Sequence, residues 1–157
     1  MSSRSEKRSV ARMSAVQALY EMDMTQKGVH DVLAEFRAFW IGREIDDDLE
    51  MKEAETNFFG QIVEGVIKDQ VLIDRTIDQA LSKGWPLVRI ELVLRAIMRA
   101  GVFELLLRKD IPPRVSISEY VDVTRAFYNE DEPGMVNAVL DHIARETRGD
   151  ELGAKRA

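Results

Sequence analysis

Four cations stand within the first twelve residues, Arg4, Lys7, Arg8 and Arg12, against a single anion, Glu6. On a helix Arg4 and Arg8 share one face, Lys7 lies beside them, and Arg12 continues that face one turn later. Guanidinium and ammonium groups so arrayed suit an anion. The leader carries +3 on a chain whose formal charge is −6, so the remainder carries −9. An acidic total argues against a generic nucleic-acid binder, which is basic throughout. The asymmetry points instead to a local anion-binding arm, with a solvated terminus as the other reading of the same charges.

Catalytic chemistry has few candidates. The chain lacks cysteine, which excludes disulfides, thiolate metal sites and a cysteine nucleophile together, and fits a reducing compartment. Its two histidines, His30 and His142, lie far apart without metal-type neighbours. Neither a phosphate-cradling glycine loop nor a nucleophile elbow occurs. The acidic run from Glu44 through Asp46, Asp47 and Asp48 to Glu55 has no fixed ligand spacing, and reads as a solvated approach to a helix N-terminus. The expectation is a protein without catalytic residues, cofactor or metal.

At 157 residues, 45% of them apolar, the chain is about one domain long and can bury a core. No apolar run reaches the ~18 residues of a membrane span, and the charged start lacks the apolar region of a secretory signal. The reading is cytoplasmic. Apolar residues recur three and four apart nearly throughout. A first helix carries Val10, Met13, Val16, Leu19, Tyr20 and Met24 and ends at Gly28; a second runs from Val29 to near Gly42. From Asn57 a long helical pattern, bent midway, reaches Leu81, with Gly60 and Gly65 inside it. Leu87–Leu107 is the most apolar segment and the expected central helix, broken by Ile111-Pro112-Pro113. The next helix has Ser116 and Glu119 as an expected capping box, and Pro133 opens the last one. The final dozen residues read as frayed. These elements predict an all-α fold of six to eight helices in one domain. Its N-terminal half covers about 1–84, its C-terminal half about 85–148, and a polar tail 149–157.

Two stretches go beyond periodicity. One is Ala11-Arg12 followed by Ala15-Val16-Gln17-Ala18-Leu19-Tyr20, behind the basic leader. The other runs from Ile97 through Arg99, Phe103-Glu104-Leu105, Asp110-Ile111-Pro112, Val115, Ile117 and Glu119 to Phe127, Glu130-Asp131 and Val136-Asn137-Ala138-Val139-Leu140-Asp141. Together they resemble the NusB family of transcription antitermination factors. The resemblance spans nearly the whole chain and is weakest from Val29 to Glu55.

The resemblance implies two packed helical bundles that bind the boxA element of nascent ribosomal RNA. It implies NusE, a small-subunit ribosomal protein, as partner, within an antitermination complex on RNA polymerase. Carried over by position, Arg4, Lys7, Arg8 and Arg12 contact RNA, as do Phe127, Asp131 and Met135 around the loop before the last helix. Tyr128 stands where many relatives have glycine, and Met135 where an aromatic is frequent. Tyr20 matches a partner-facing tyrosine. A glutamate that some relatives use near the start of the central helix aligns with Leu94, which leaves Glu91, one turn earlier, as a substitute. Core packing for Phe127, a core position for Tyr20 and an internal ion pair for Arg12 are the competing readings. A homodimer that masks the leader is also compatible with the sequence. Two other functions remain open: the RNA-guiding helical portion of a ribosomal RNA cytosine methyltransferase, and a protein-only scaffold.

Overall fold

The stripe of apolar residues behind the leader becomes one face of a long first helix. In the computed structural model, which describes residues 4–43, 49–81 and 86–153, α1 spans Arg4–Thr25 and α2 Val29–Arg43. They are followed by α3 (Leu49–Lys68), α4 (Gln70–Ala80), a single 3₁₀ turn (Leu87–Arg89), α5 (Leu92–Leu107), α6 (Pro113–Phe127) and α7 (Glu132–Gly153). The described residues contain seven α-helices and no strand, so the all-α expectation holds. The leader is itself helical from Arg4, and α1 closes at Gln26, whose φ of 63° gives the left-handed turn two residues before Gly28.

The central helix is shorter than its apolar pattern. Leu87–Arg89 forms a 3₁₀ turn, Ile90 and Glu91 are extended, and the α-helix starts at Leu92. Residues 94 and 96–105 are buried, so this helix is covered on every side, as its nearly continuous apolarity requires. It packs against α1, α3, α4, α6 and α7. Two glycines permit the closest crossings. A Cβ on Gly65 of α3 would overlap the Phe103 ring, and one on Gly101 would stand 3.0 Å from Leu140 of α7.

Other differences have local causes. The helix expected from Asn57 begins at Leu49, within the acidic run; residues 44–48, and the Gly84-Trp85 break, lie outside the described residues. The capping box at Ser116 and Glu119 does not form. Pro113 already opens α6, so Ser116 lies inside it and both side chains turn to other helices. The C-terminal segment continues as helix to Gly153 instead of fraying at 146. Arg148, 4% exposed and non-helical at φ −141°, donates to the carbonyl oxygens of Lys109 and Ile111, and Leu152 is buried. Capping the α5–α6 corner gives this segment tertiary contacts that its composition hides.

Candidate nucleic-acid interface

The leader is tied down by a buried polar knot. Glu104 of α5 is fully buried and accepts four hydrogen bonds: from Arg12 Nε (2.8 Å) and Nη2 (3.1 Å), Ser116 Oγ (2.8 Å) and Tyr120 Oη (2.6 Å). Arg12 Nη1 also reaches Glu119 of α6 at 3.1 Å, and Ser9 Oγ donates to the same carboxylate at 2.6 Å. A buried carboxylate without partners would cost several kcal/mol; here its lone pairs are filled, so the knot fixes α1, α5 and α6 together. Burial tends to lower the Arg12 pKa, but the hydrogen bond and charge of Glu104 outweigh it and raise it overall. Burial, then the Glu104 charge, push the Tyr120 hydroxyl well above its ordinary range.

Arg12 therefore stands inside the fold at 2% exposure, in the internal ion pair, and not on an exposed face of the leader. Lys7 is buried too, at 7%. Arg8 is half-buried, with its guanidinium 4.8 Å from the centroid of the Phe58 ring. Arg4 begins the helix, and its side chain lies outside the described residues. The Phe58 ring also carries Arg12 at 5.1 Å and Arg108 at 5.3 Å. Three guanidiniums on one ring pin cations of α1 and the end of α5 in fixed planes. Arg108 is further held by a fork to both oxygens of Asp110 (2.9 Å each) and by Gln61 (2.7 Å). That fork lowers the Asp110 carboxyl to about 2. Sequence reasoning passed over Phe58 and Arg108. The basic pair Arg108-Lys109 between the core helix and the prolines was the available signal.

The second predicted region lies at the other end of α6. Phe127 is 41% exposed, which sets aside core packing for it, and Asp131 is exposed just before α7. Met135 is half-buried against the core. Tyr128, the departure from the family pattern, donates from its hydroxyl to Glu91 at the start of α5. Burial and this carboxylate raise the tyrosine's pKa above its ordinary value. A groove of about 690 Å³ between α4, the 3₁₀ turn, α5 and α7 is lined by Glu91, Leu94, Asp131 and Met135, with Arg89 and His142 at its walls. The fold thus brings Glu91 together with Asp131 and Met135. Leu94, 6% exposed, belongs to the core.

Leader and loop are not adjacent. From Glu119, which Ser9 touches, to Phe127 is about 12 Å along α6 at 1.5 Å per residue. That is roughly three to four stacked nucleotides at ~3.4 Å each. Tyr20 lies elsewhere, half-buried near the end of α1, with Met24 one turn on and 56% exposed. Arg99 joins this end to α4 through Asp23 (3.1 Å) and a fork to Asp74 (2.8 and 3.0 Å). On α4, Val71 is 74% exposed. Of the two histidines, His30 is exposed, and His142 is 3.4 Å from Glu146. Among the described residues no three His, Asp or Glu side chains are grouped to hold a metal, and no helix is long and apolar enough to cross a membrane.

Comparison with known proteins matches this architecture. The chain is 54% identical over 150 residues to the transcription antitermination protein NusB of Bradyrhizobium diazoefficiens, covering 96% of this chain and 90% of the relative. It is 57% identical over 142 residues to that of Rhodopseudomonas palustris, covering 90% and 81%. Among solved structures, NusB of T. maritima superposes with a TM-score of 0.74 at 26% identity, over 93% of this chain and 96% of that one. A structure of antitermination factors NusB and NusE in complex with double-stranded RNA also shares the fold, with TM-score 0.74, 23% identity, and 90% and 98% coverage. The family model for NusB matches residues 9–145, so by sequence, fold and coverage this chain belongs to the NusB family.

Proposed function

We propose that this protein is a cytoplasmic transcription antitermination factor that binds single-stranded boxA-type RNA together with NusE, as part of an antitermination complex on RNA polymerase. The observation that carries the reading is family membership across residues 9–145, joined to a leader whose Arg8 is held over the Phe58 ring. RNA contact is assigned to Arg4 and Arg8, assisted by Arg108, with Phe127 as a stacking surface at the far end of α6. Asp131 accepts hydrogen bonds from base donors, which favours particular bases at an electrostatic cost. Met135 supplies an apolar wall. Lys7 and Arg12 position the leader from within the fold. Tyr20 and the exposed Met24 form the protein-partner face. Glu91 acts through Tyr128, holding the loop against α5.

The test is RNA binding by the purified protein, with and without NusE, to boxA-type and scrambled RNA. Preference for the boxA-type RNA, strengthened by NusE, is expected. Equal affinity for both RNAs with NusE present overturns the specific reading.

A further inference from the structure

The acidic body carries a basic furrow away from the leader. Between α6 and α7 a groove of about 380 Å³ is lined by Arg114, Ser118 and Arg125 on one side and Asn137, Asp141 and Arg145 on the other. It holds three guanidiniums against one carboxylate, on a chain whose total is −6. Arg114, Ser118 and Arg125 lie at i, i+4 and i+11, so they stay on one flank of α6 over about 16 Å. This is the flank facing α7; Glu119, which receives the leader, lies on the flank facing α1. The groove therefore runs beside the leader's surface, on the other side of α6, and its Arg125 end lies two residues before Phe127.

We propose that this groove binds the phosphate backbone of RNA flanking the recognition element, as a track that continues past the Phe127 loop. The inference rests on the RNA-binding reading above. Charge selects the occupant. Arg125 is paired with Asp122 at 2.8 Å and Arg145 with Asp141 at 2.7 Å, both on the surface. Exposed pairs of this kind contribute about 0–1 kcal/mol, so a phosphate exchanges for the carboxylate at little cost. Arg114 has no ion pair among the described residues. Asn137 and Ser118 add donors without charge, suited to sugar hydroxyls and phosphate oxygens. No base-reading geometry is required, so contact here adds affinity and salt dependence rather than sequence preference.

The experiment compares two RNAs on the full chain with NusE: a boxA-type oligonucleotide alone, and the same element flanked by unrelated single-stranded sequence. Three contacts steepen the log–log salt slope for the longer RNA by about 2, at ~0.7 per phosphate. The R114Q/R125Q/R145Q variant loses that increment and binds the short RNA as the native protein does. The corresponding lysine variant restores the increment. Identical slopes for both RNAs with the native protein overturn the proposal, and intact binding of the short RNA then leaves the leader's role standing. An increment that survives in the glutamine variant also overturns it, and turns the groove toward an acidic protein partner. The R4A/R8A variant separates the two readings. Weakened but measurable short-RNA binding with the increment retained supports both, whereas unchanged short-RNA binding with the increment retained counts against the leader alone.

Discussion

Two sets of arginine–carboxylate pairs on this protein do different work. Where α1 meets α5, the side chains of Arg12 and Glu104 are 3% and 0% exposed, and hydroxyls of Ser116 and Tyr120 fill the remaining acceptor sites. Along the α6–α7 groove, Arg125–Asp122 and Arg145–Asp141 have 38–64% of each side chain exposed and follow i,i+3 and i,i+4 spacing. Burial converts the first pair into architecture, because neither partner can be solvated if the other leaves. Exposure leaves the second set exchangeable. Residue type alone does not separate a structural cation from a binding one; desolvation does.

Stability should divide along that line. Arg12→Ala strands the buried Glu104 carboxylate and is expected to cost about 3–5 kcal/mol. For a domain of this size that lowers Tm by roughly 6–20 °C, at ~2–4 °C per kcal/mol. Arg145→Ala at the groove should cost less than about 0.5 kcal/mol. Thermal unfolding followed by circular dichroism measures both. Similar losses at the two positions would erase the distinction between them.

The knot makes a second, smaller prediction at high pH. Tyr120→Phe removes one hydrogen bond to a charged acceptor and is expected to cost about 1.5–3 kcal/mol at neutral pH. Because the folded Tyr120 pKa is raised above the ordinary value of 10.0, its contribution is fully present below pH 10 and is lost as pH rises beyond it. Ultraviolet titration should find the Tyr120 phenol ionising only with unfolding. A phenol that titrates normally in the folded protein would show that the knot is open to water.

For the leader, the same contrast sets the number of phosphate contacts. Arg4→Ala with Arg8→Ala should flatten the salt slope of RNA binding by about 1.4, near sevenfold in affinity between 50 and 200 mM salt. Arg12→Lys, assayed below its lowered Tm, should leave that slope unchanged, because Arg12 acts from inside. A slope reduced by Arg12→Lys while the protein remains folded would return Arg12 to the RNA surface.

The sequence made the helices and their order legible, because core positions such as Val16, Ile62, Ile97 and Val139 repeat at helical spacing and are buried. It also singled out the α1 leader and the Phe127–Met135 loop. It could not reveal which leader cations face inward. Arg12 is buried because Glu104, 92 residues away, is fully enclosed beneath it, and no local pattern encodes that meeting. Ser116 and Glu119 failed as a capping box because Pro113 already opens the helix, which leaves both side chains to partners on α5 and α1. Nothing local marks Phe58, whose role as the seat of Arg8, Arg12 and Arg108 exists only once α1, α3 and α5 are packed.

The weakest pair near the leader tests whether exposure alone makes a pair dispensable. Asp110 is 63% exposed, yet the Arg108 fork holds its carboxyl at about 2, below the ordinary 3.8. A depressed folded pKa means that this pair stabilises the fold above pH 3.8 and loses its contribution as pH falls toward 2. Solvent screening keeps that contribution below about 1 kcal/mol. Asp110→Asn should therefore be slightly less stable than the native protein at pH 7, with the difference closing between pH 4 and 2 and shrinking in high salt. Acid unfolding followed by circular dichroism measures this. A difference that stays constant to pH 2 would mean that Asp110 acts through the backbone turn before Pro112 and not through its charge. In that case the fork on Arg108 would be geometry imposed by the turn, and the Phe58 cluster would hold its cations without help from an anion at its rim.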